Sequence, residues 1–190
     1  VQIGSGGEYG SARSPHNEKM KTFPKGFYFK AKAMATKYFL KLHKKKKFPV
    51  TILRLYQAYG PKQDTNRLIP IVIKSCLKNK KFPCSTGIQY RDFLHIDDLI
   101  NSILKCYDNK AAIGQIINIG SGKPEQIKNV IGLIKNKIKR GYPQFGKIKL
   151  RSDENIKVYP SLLKAKKILN WKPTIQFKRG LFKTIKSYEQ

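Results

Sequence analysis

The sequence predicts an α/β fold built on a parallel sheet. Short apolar runs rich in β-branched residues, at 50–56 and 115–119, are typical of buried strands. Amphipathic helical patterns lie beside them, with apolar residues at helical spacing over 96–107 and 127–138. Short strands that alternate with helices of this length favour parallel pairing.

The first third of the chain fits this alternation. Residues 1–3 are strand-like and run into a small-residue loop at 4–7. A helix is predicted over 27–44, because apolar and aliphatic positions recur along one stripe of it: Tyr28, Lys32, Ala35, Phe39 and Leu42. The turn at residues 59–61 follows the strand predicted at 50–56.

The later elements are predicted from capping residues and short apolar runs. In chain order they are a helix over 67–79 capped by Asn66, an extended piece at 82–85, a helix capped by Asp97 or Asp98, a helix begun by Pro124 and Glu125, a strand at 147–150, a helix from the Ser161 cap to 169, and a last helix over 177–188. We assign Asp92 and the Asp97–Asp98 pair structural roles rather than roles as catalytic carboxylates, and we expect His95 and Trp171 to be packed.

The charge of +29 raises the question of nucleic acid, since 40 basic residues face 11 acidic ones. However, 33 of the basic residues are lysines spread along the chain, and no aromatic-interleaved basic stripe occurs. A coding bias towards AT-rich codons accounts for such a composition. We therefore do not expect a nucleic-acid partner, although a basic nucleic-acid-binding module, or a non-catalytic remnant, remains the alternative function.

Cysteine usage indicates a reducing compartment, the cytoplasm. The three residues Cys76, Cys84 and Cys106 have neither disulfide-framework nor metal-ligand spacing. No apolar run reaches the roughly 18 residues of a membrane span, and no signal-peptide pattern occurs. The chain opens on Val1 as if within a strand, so we expect a segment to precede it.

Tyr28 and Lys32, with Ser5 upstream, carry the candidate chemistry. Spacing of four residues on a helix places both side chains on one face. An ammonium group beside a phenol favours the phenolate, so this tyrosine can exchange a proton with a sugar or alcohol oxygen. Such pairs arise by chance in a lysine-rich chain, but this helix follows a strand and a loop that carries a hydroxyl residue. That context favours a catalytic pair over a surface pair.

The order GSGGEYG, YFKAK, LRLYQAYGP, YRDFLHIDD, NIGSGKP and ILNWKP resembles the extended short-chain dehydrogenase/reductase family, specifically its NAD-dependent nucleotide-sugar epimerases, dehydratases and reductases. The resemblance covers essentially the whole chain. It implies a partial Rossmann-like parallel sheet, made of the later strands only, with a small C-terminal substrate-binding subdomain.

The resemblance also implies roles for site residues. Tyr28 would be the acid/base, Lys32 would favour its ionised form and hold the nicotinamide ribose, and Ser5 would bond the reacting sugar hydroxyl. Tyr56 would contact the cofactor, NAD or NADP. The alternative for Ser5 is a turn serine.

Substrate binding is assigned to three further residues by the same resemblance. Arg91 and Arg151 match arginines that grip the substrate diphosphate, for which a forked guanidinium is suited. Gln57 stands where the family usually has Asn. The alternative for each arginine is a surface or capping role, and no metal site is expected.

Gly6 and Gly7 stand where the related 4,6-dehydratases carry an Asp-Glu pair that removes water. Elimination needs an acid and a base beyond Tyr28. We therefore expect epimerisation or keto-sugar reduction. No glycine-rich dinucleotide loop precedes the catalytic pair, so we expect weak cofactor binding by this chain alone.

The resemblance divides the chain into four stretches. Residues 1–60 would be the catalytic part of a truncated Rossmann domain, 61–95 mainly substrate-binding, 96–122 a return to the Rossmann domain, and 123–190 mainly the C-terminal substrate-binding subdomain. The expected partners are a nucleotide sugar and, in the parent protein, a second copy docked through the helix of Tyr28.

Overall fold

A computed structural model describes residues 1–152 and 154–189. Its centre is a parallel sheet in the order β1-β2-β6, formed by Gln2–Ser5, Ile52–Leu55 and Ile116–Ile119. Ile52 pairs with Gln2 on one side and with Ile116 on the other. The apolar β-branched runs thus lie in the buried strands, and the predicted α/β class with a parallel sheet is confirmed.

Six helices and six further strands are seen in the described residues. The helices are α1 Gly26–Lys46, α2 Leu68–Leu77, α3 Ile96–Tyr107, α4 Ile127–Ile138, α5 Leu163–Leu169 and α6 Phe177–Lys186. The strands are β3 Gln57–Tyr59, β4 Lys81–Pro83, β5 Tyr90–His95, β7 Pro124–Gln126, β8 Tyr142–Gln144 and β9 Lys157–Val158. β5 pairs with β3 and β9 in parallel and with β7 in antiparallel, while β4 pairs with β8 in parallel.

The core consists of two clusters of buried side chains. One covers the three-stranded sheet and includes Leu53 and Ile117, together with Leu169 and Trp171 from the C-terminal region. The other gathers buried residues of α2, α4 and α6, among them Ile131. Trp171 is packed, as predicted, and it belongs to the sheet cluster. The four-stretch division of the chain remains a prediction.

The most buried residues of helix α1 are small and lie beside the predicted stripe. Its fully buried residues are Ala33 and Thr36, whereas Tyr28 is exposed and Ala35 and Phe39 are half-buried. The helix lies against β1, the outer strand of the sheet. Alanine and threonine at the contact allow a close approach of helix and strand.

The predicted cap of α3 was wrong by two or three residues. The cap is His95, whose Nδ1 accepts from the Asp97 amide at 3.2 Å, and His95 is buried as expected. Asp98 is buried too and accepts from the amides of Thr174 and Ile175, both at 3.0 Å. The pair therefore is structural, but Asp98 holds the segment before α6 in place of capping a helix.

Several other predicted boundaries were also wrong. Residues 124–126 form β7, and α4 begins only at Ile127, because β7 pairs with β5. Residues 147–150 form no strand, while β8 at 142–144 supplies the pairing for β4. The residues in the N-cap positions of α2 and α5 are Arg67 and Leu162, in place of Asn66 and Ser161.

Asp92 ties β5 to the loop that follows β6. It is 0% exposed and accepts from the Ser121 amide at 2.6 Å and from the Ser121 hydroxyl at 3.0 Å. Burial raises the pKa of Asp92 to about 6, although the bonds from Ser121 act in the opposite direction. Asp92 is therefore structural, as the sequence predicted.

The raised pKa of Asp92 predicts a stability component that falls as pH rises. An unfolded aspartate titrates near 3.9, so between about pH 4 and 6 the folded chain binds the proton more tightly. The advantage of wild type over Asp92→Asn in unfolding free energy should shrink by about 2 kcal/mol from pH 4 to pH 7. Urea unfolding of both proteins at the two pH values measures this, and a difference independent of pH would contradict it.

Candidate active site

A cavity of about 570 Å³ opens where β1 and β2 end. Ser5, the last residue of β1, and Leu55, the last residue of β2, both line it. Ligand sites in parallel α/β folds lie at this carboxyl edge of the sheet. The other predicted site residues that line the same cavity are Tyr56, Gln57, Arg91 and Arg151.

The backbone around Ser5 is held by a reciprocal cap. Its Oγ accepts from the Gly7 amide at 3.1 Å, while its own amide donates to Glu8 Oε1 at 2.9 Å. The turn over 6–9 is a short 3₁₀ helix that begins at this cap. The Ser5 oxygen is thus fixed at the cavity wall, and its proton remains available for a ligand.

Tyr28 and Lys32 lie side by side on α1. Lys32 Nζ is 5.7 Å from the centre of the Tyr28 ring, as the four-residue spacing predicts. The same ammonium donates to the Ile3 carbonyl at 3.0 Å, which anchors it two residues before Ser5. Tyr28 is 64% exposed, so its phenol is open to a ligand. Gly26 and Phe29 of the same helix line the cavity, but neither Tyr28 nor Lys32 is among its lining residues.

Aromatic rings already fill the space beside Gly6 and Gly7. A Cβ on Gly6 would lie 2.7 Å from Tyr56 Cζ, and one on Gly7 would lie 2.1 Å from Phe29 Cε1. These positions therefore cannot accept larger side chains unless the rings move. An aromatic ring thus stands against each of these two glycines.

Tyr56 is bonded to a residue that sequence reasoning did not select. Its hydroxyl lies 2.9 Å from His16 Nδ1, and His16 also lines the cavity. Burial raises the pKa of the Tyr56 phenol, so it stays protonated at neutral pH. Gln57 is exposed on the same wall.

The two predicted arginines lie in the same cavity. Arg91 pairs with Glu154, and its NH1 donates to the carbonyls of Tyr90 at 2.8 Å and Asn155 at 2.9 Å. Burial lowers the pKa of Arg91, and the Glu154 carboxylate opposes that shift. Arg151 is exposed on the segment that precedes Glu154. The cavity thus brings together two guanidinium groups, as an anionic ligand requires.

A buried ion pair behind Ser5 also escaped the sequence analysis. Glu8 and Arg54 are 0% and 4% exposed, and Arg54 Nε donates to Glu8 Oε2 at 3.0 Å. Arg54 also lies over the Tyr9 ring, 4.6 Å from its centre. A glutamate within a small-residue turn and an arginine within an apolar strand were the only signals in the sequence.

The sequence model of the NAD dependent epimerase/dehydratase family matches residues 1–120, more than half of the chain. The chain belongs to this family. The resemblance stated from the motifs is therefore confirmed, as is the Rossmann-like character of the sheet.

Named members of the epimerase/dehydratase family show the range of likeness. CDP-abequose synthase of Salmonella typhimurium is 30% identical over 141 residues, 70% of this chain and 46% of that protein. UDP-glucuronate 4-epimerase of Thermodesulfobacterium geofontis is 34% identical over 143 residues, 72% of this chain and 42% of that protein. The chain spans about half the length of these relatives.

A solved structure supports the same fold. The dTDP-glucose 4,6-dehydratase of Bacillus anthracis, determined in complex with NAD, superimposes with a TM-score of 0.90 at 25% identity. The match covers 99% of this chain and 60% of that one. In the residues described, no helix has the length and apolarity of a membrane span, and no group of three or more candidate metal ligands is found.

Proposed function

We propose that this chain carries the catalytic and nucleotide-sugar-binding portion of an NAD(P)-dependent nucleotide-sugar epimerase or keto-sugar reductase. The observation that carries the proposal is one cavity that is lined by Ser5, Arg91 and Arg151 and by Phe29 of the helix that carries Tyr28 and Lys32. Family membership favours this function over a basic nucleic-acid-binding module.

The proposal assigns a separate role to each group of site residues. Arg91 and Arg151 hold the diphosphate, and Glu154 gives up its place on Arg91 to the ligand. Ser5 bonds the reacting sugar hydroxyl. Tyr28 takes the proton of that hydroxyl on oxidation and returns it on reduction.

A nicotinamide cofactor, NAD or NADP, supplies the hydride acceptor and donor when bound. The described residues fit its ribose, since Lys32 is fixed by Ile3 next to an exposed phenol. Lys32 then positions the ribose and places its positive charge beside the Tyr28 ring. Tyr56, which lines the cavity next to Gly6, is proposed to contact the cofactor through its ring.

Epimerisation or reduction fits the cavity better than dehydration. The relatives include a dehydratase, an epimerase and a synthase, so likeness alone does not choose between reactions. The rings against Gly6 and Gly7 leave no space for an additional acid and base at those positions.

The four-stretch division, the cytoplasmic location and the homodimer belong to the same proposal. The apolar surface of α1 supports docking of a second copy there, since Phe27, Met34 and Tyr38 are 94%, 70% and 63% exposed. Large apolar side chains of this kind mark interaction surfaces when they lie together on one element.

Arg91→Gln should weaken nucleotide-sugar binding about 30- to 150-fold, because a hydrogen bond to a charged group contributes about 2–3 kcal/mol. The loss also leaves Glu154 facing the diphosphate without a counter-charge. Calorimetric titration with UDP-glucose, dTDP-glucose and CDP-glucose measures the effect.

Arg140→Gln is the matched control for this change. Arg140 is exposed just after α4 and is not among the residues that line the cavity. Its replacement by glutamine changes the net charge by the same amount as Arg91→Gln. It should leave the affinity within about twofold. Equal losses of affinity in the two variants would show that Arg91 acts only through the net charge of the protein. If wild type bound none of the three ligands, the proposed function would be contradicted.

A further inference from the structure

His16, which is buried, and Tyr56, which is half-buried, form a hydrogen-bonded pair in the wall of the cavity. His16 is 1% exposed, and its two ring nitrogens have different partners. Nδ1 lies 2.9 Å from the Tyr56 hydroxyl, and Nε2 lies 3.0 Å from the Ala12 carbonyl oxygen. The Ser14 hydroxyl lies 3.3 Å from Nε2 as well.

The carbonyl of Ala12 decides the tautomer of His16. A carbonyl oxygen only accepts, so Nε2 must carry the proton that it donates to Ala12. Burial and the nearby charge of Arg54 lower the pKa of His16, which keeps the ring neutral at pH 7. Nδ1 is then an acceptor, and the Tyr56 hydroxyl donates to it.

Because the Tyr56 hydroxyl donates its proton to His16, the lone pairs of its oxygen remain for a ligand. A phenol that has given its proton to one partner presents only an acceptor to the next. The ring is set over Gly6, directly after Ser5, so the oxygen belongs to the Ser5 part of the cavity wall. A sugar hydroxyl is the donor that the proposed ligand offers there.

We propose that the Tyr56 oxygen accepts a hydrogen bond from a hydroxyl of the bound sugar, and that His16 positions it by fixing the direction of the phenolic proton. The inference rests on the proposed function, because the donor is the sugar of a nucleotide sugar. It gives the cavity a second contact with the sugar besides Ser5, and a preference for sugars that carry a hydroxyl at that place.

The test distinguishes a contact with the sugar from a contact with the nucleotide. Affinities of wild type and Tyr56→Phe are measured for UDP-glucose against UDP, and for dTDP-glucose against dTDP. Tyr56→Phe keeps the ring over Gly6, so it should weaken the binding of the nucleotide sugar about 5- to 10-fold and leave that of the free nucleotide unchanged. Tyr107→Phe on the exposed face of α3 should change neither.

The positioning role of His16 is tested with substitutions that differ in their capacity to accept a hydrogen bond. His16→Leu removes the acceptor and should reproduce the sugar-specific loss, whereas His16→Gln offers an amide acceptor and donor and should restore most of the affinity. Nitrogen-15 NMR of the wild-type ring should show the proton on Nε2. If His16→Leu does not fold, the Tyr56→Phe titration and the NMR spectrum still decide.

Each result has one meaning. Equal affinity of Tyr56→Phe and wild type for the nucleotide sugar would overturn the inference and leave the proposed function intact. An equal loss for sugar and free nucleotide, or a proton on Nδ1, would overturn it too. If wild type binds neither ligand, the proposed function fails and this inference fails with it.

Discussion

Replacing Tyr28 with phenylalanine is expected to lower turnover about 10²- to 10⁴-fold, the contribution typical of a positioned proton donor or acceptor. In the proposed mechanism the phenol is the group of the pair that moves a proton to and from the sugar oxygen. Lys32 is held by the Ile3 carbonyl at 3.0 Å and serves the pair by its charge. Loss of the phenol should therefore lower the rate of the chemical step, while the affinity for the nucleotide sugar stays within about twofold.

The assay needs a dinucleotide-binding half joined ahead of Val1, since the chain spans about half the length of its relatives. Turnover of a panel of UDP-, dTDP- and CDP-sugars with NAD and NADP is then compared for each variant. Tyr38→Phe is the control, because Tyr38 lies on the same helix and is 63% exposed against 64% for Tyr28. Equal turnover of wild type and Tyr28→Phe would remove the acid/base role of Tyr28.

Helices and buried strands were predictable because their signal is local. The runs at 50–56 and 115–119 contain the strands β2 and β6, and the periodic stretches contain α3 and α4. The errors fell where pairing with a distant segment decides the structure. Residues 124–126 become β7 because β5 runs beside them, which no helix-start signal reports.

The site shows the same difference between features that a local sequence signal marks and contacts that only the fold creates. Ser5, Arg91 and Gln57 were predicted from family motifs, and all three line the cavity. Tyr28 and Lys32 were predicted in the same way and are not among the lining residues. The contacts of Glu8 with Arg54 and of His16 with Tyr56 join residues 46 and 40 positions apart. A buried polar pair leaves no periodic trace in a sequence, so only the fold reveals which partners meet.

Glu8→Ala is expected to lower the unfolding free energy by about 3–5 kcal/mol, because it leaves the charge of Arg54 buried and unpaired. Arg54 is 4% exposed and cannot reach water without disturbing β2. Glu189→Ala removes the same side chain from an exposed position near the C-terminus and should cost less than about 0.5 kcal/mol. Urea unfolding of each variant measures the difference.

The double variant Glu8→Leu, Arg54→Met separates charge from packing. Replacing both partners of a buried ion pair with apolar residues is often neutral, so most of the stability lost in Glu8→Ala should return. The binding site should not return with it, because Glu8 Oε1 also receives the Ser5 amide at 2.9 Å. A stable double variant that turns over as fast as wild type would show that Ser5 does not depend on the pair. A loss below about 1 kcal/mol in Glu8→Ala would mean that Arg54 finds another partner.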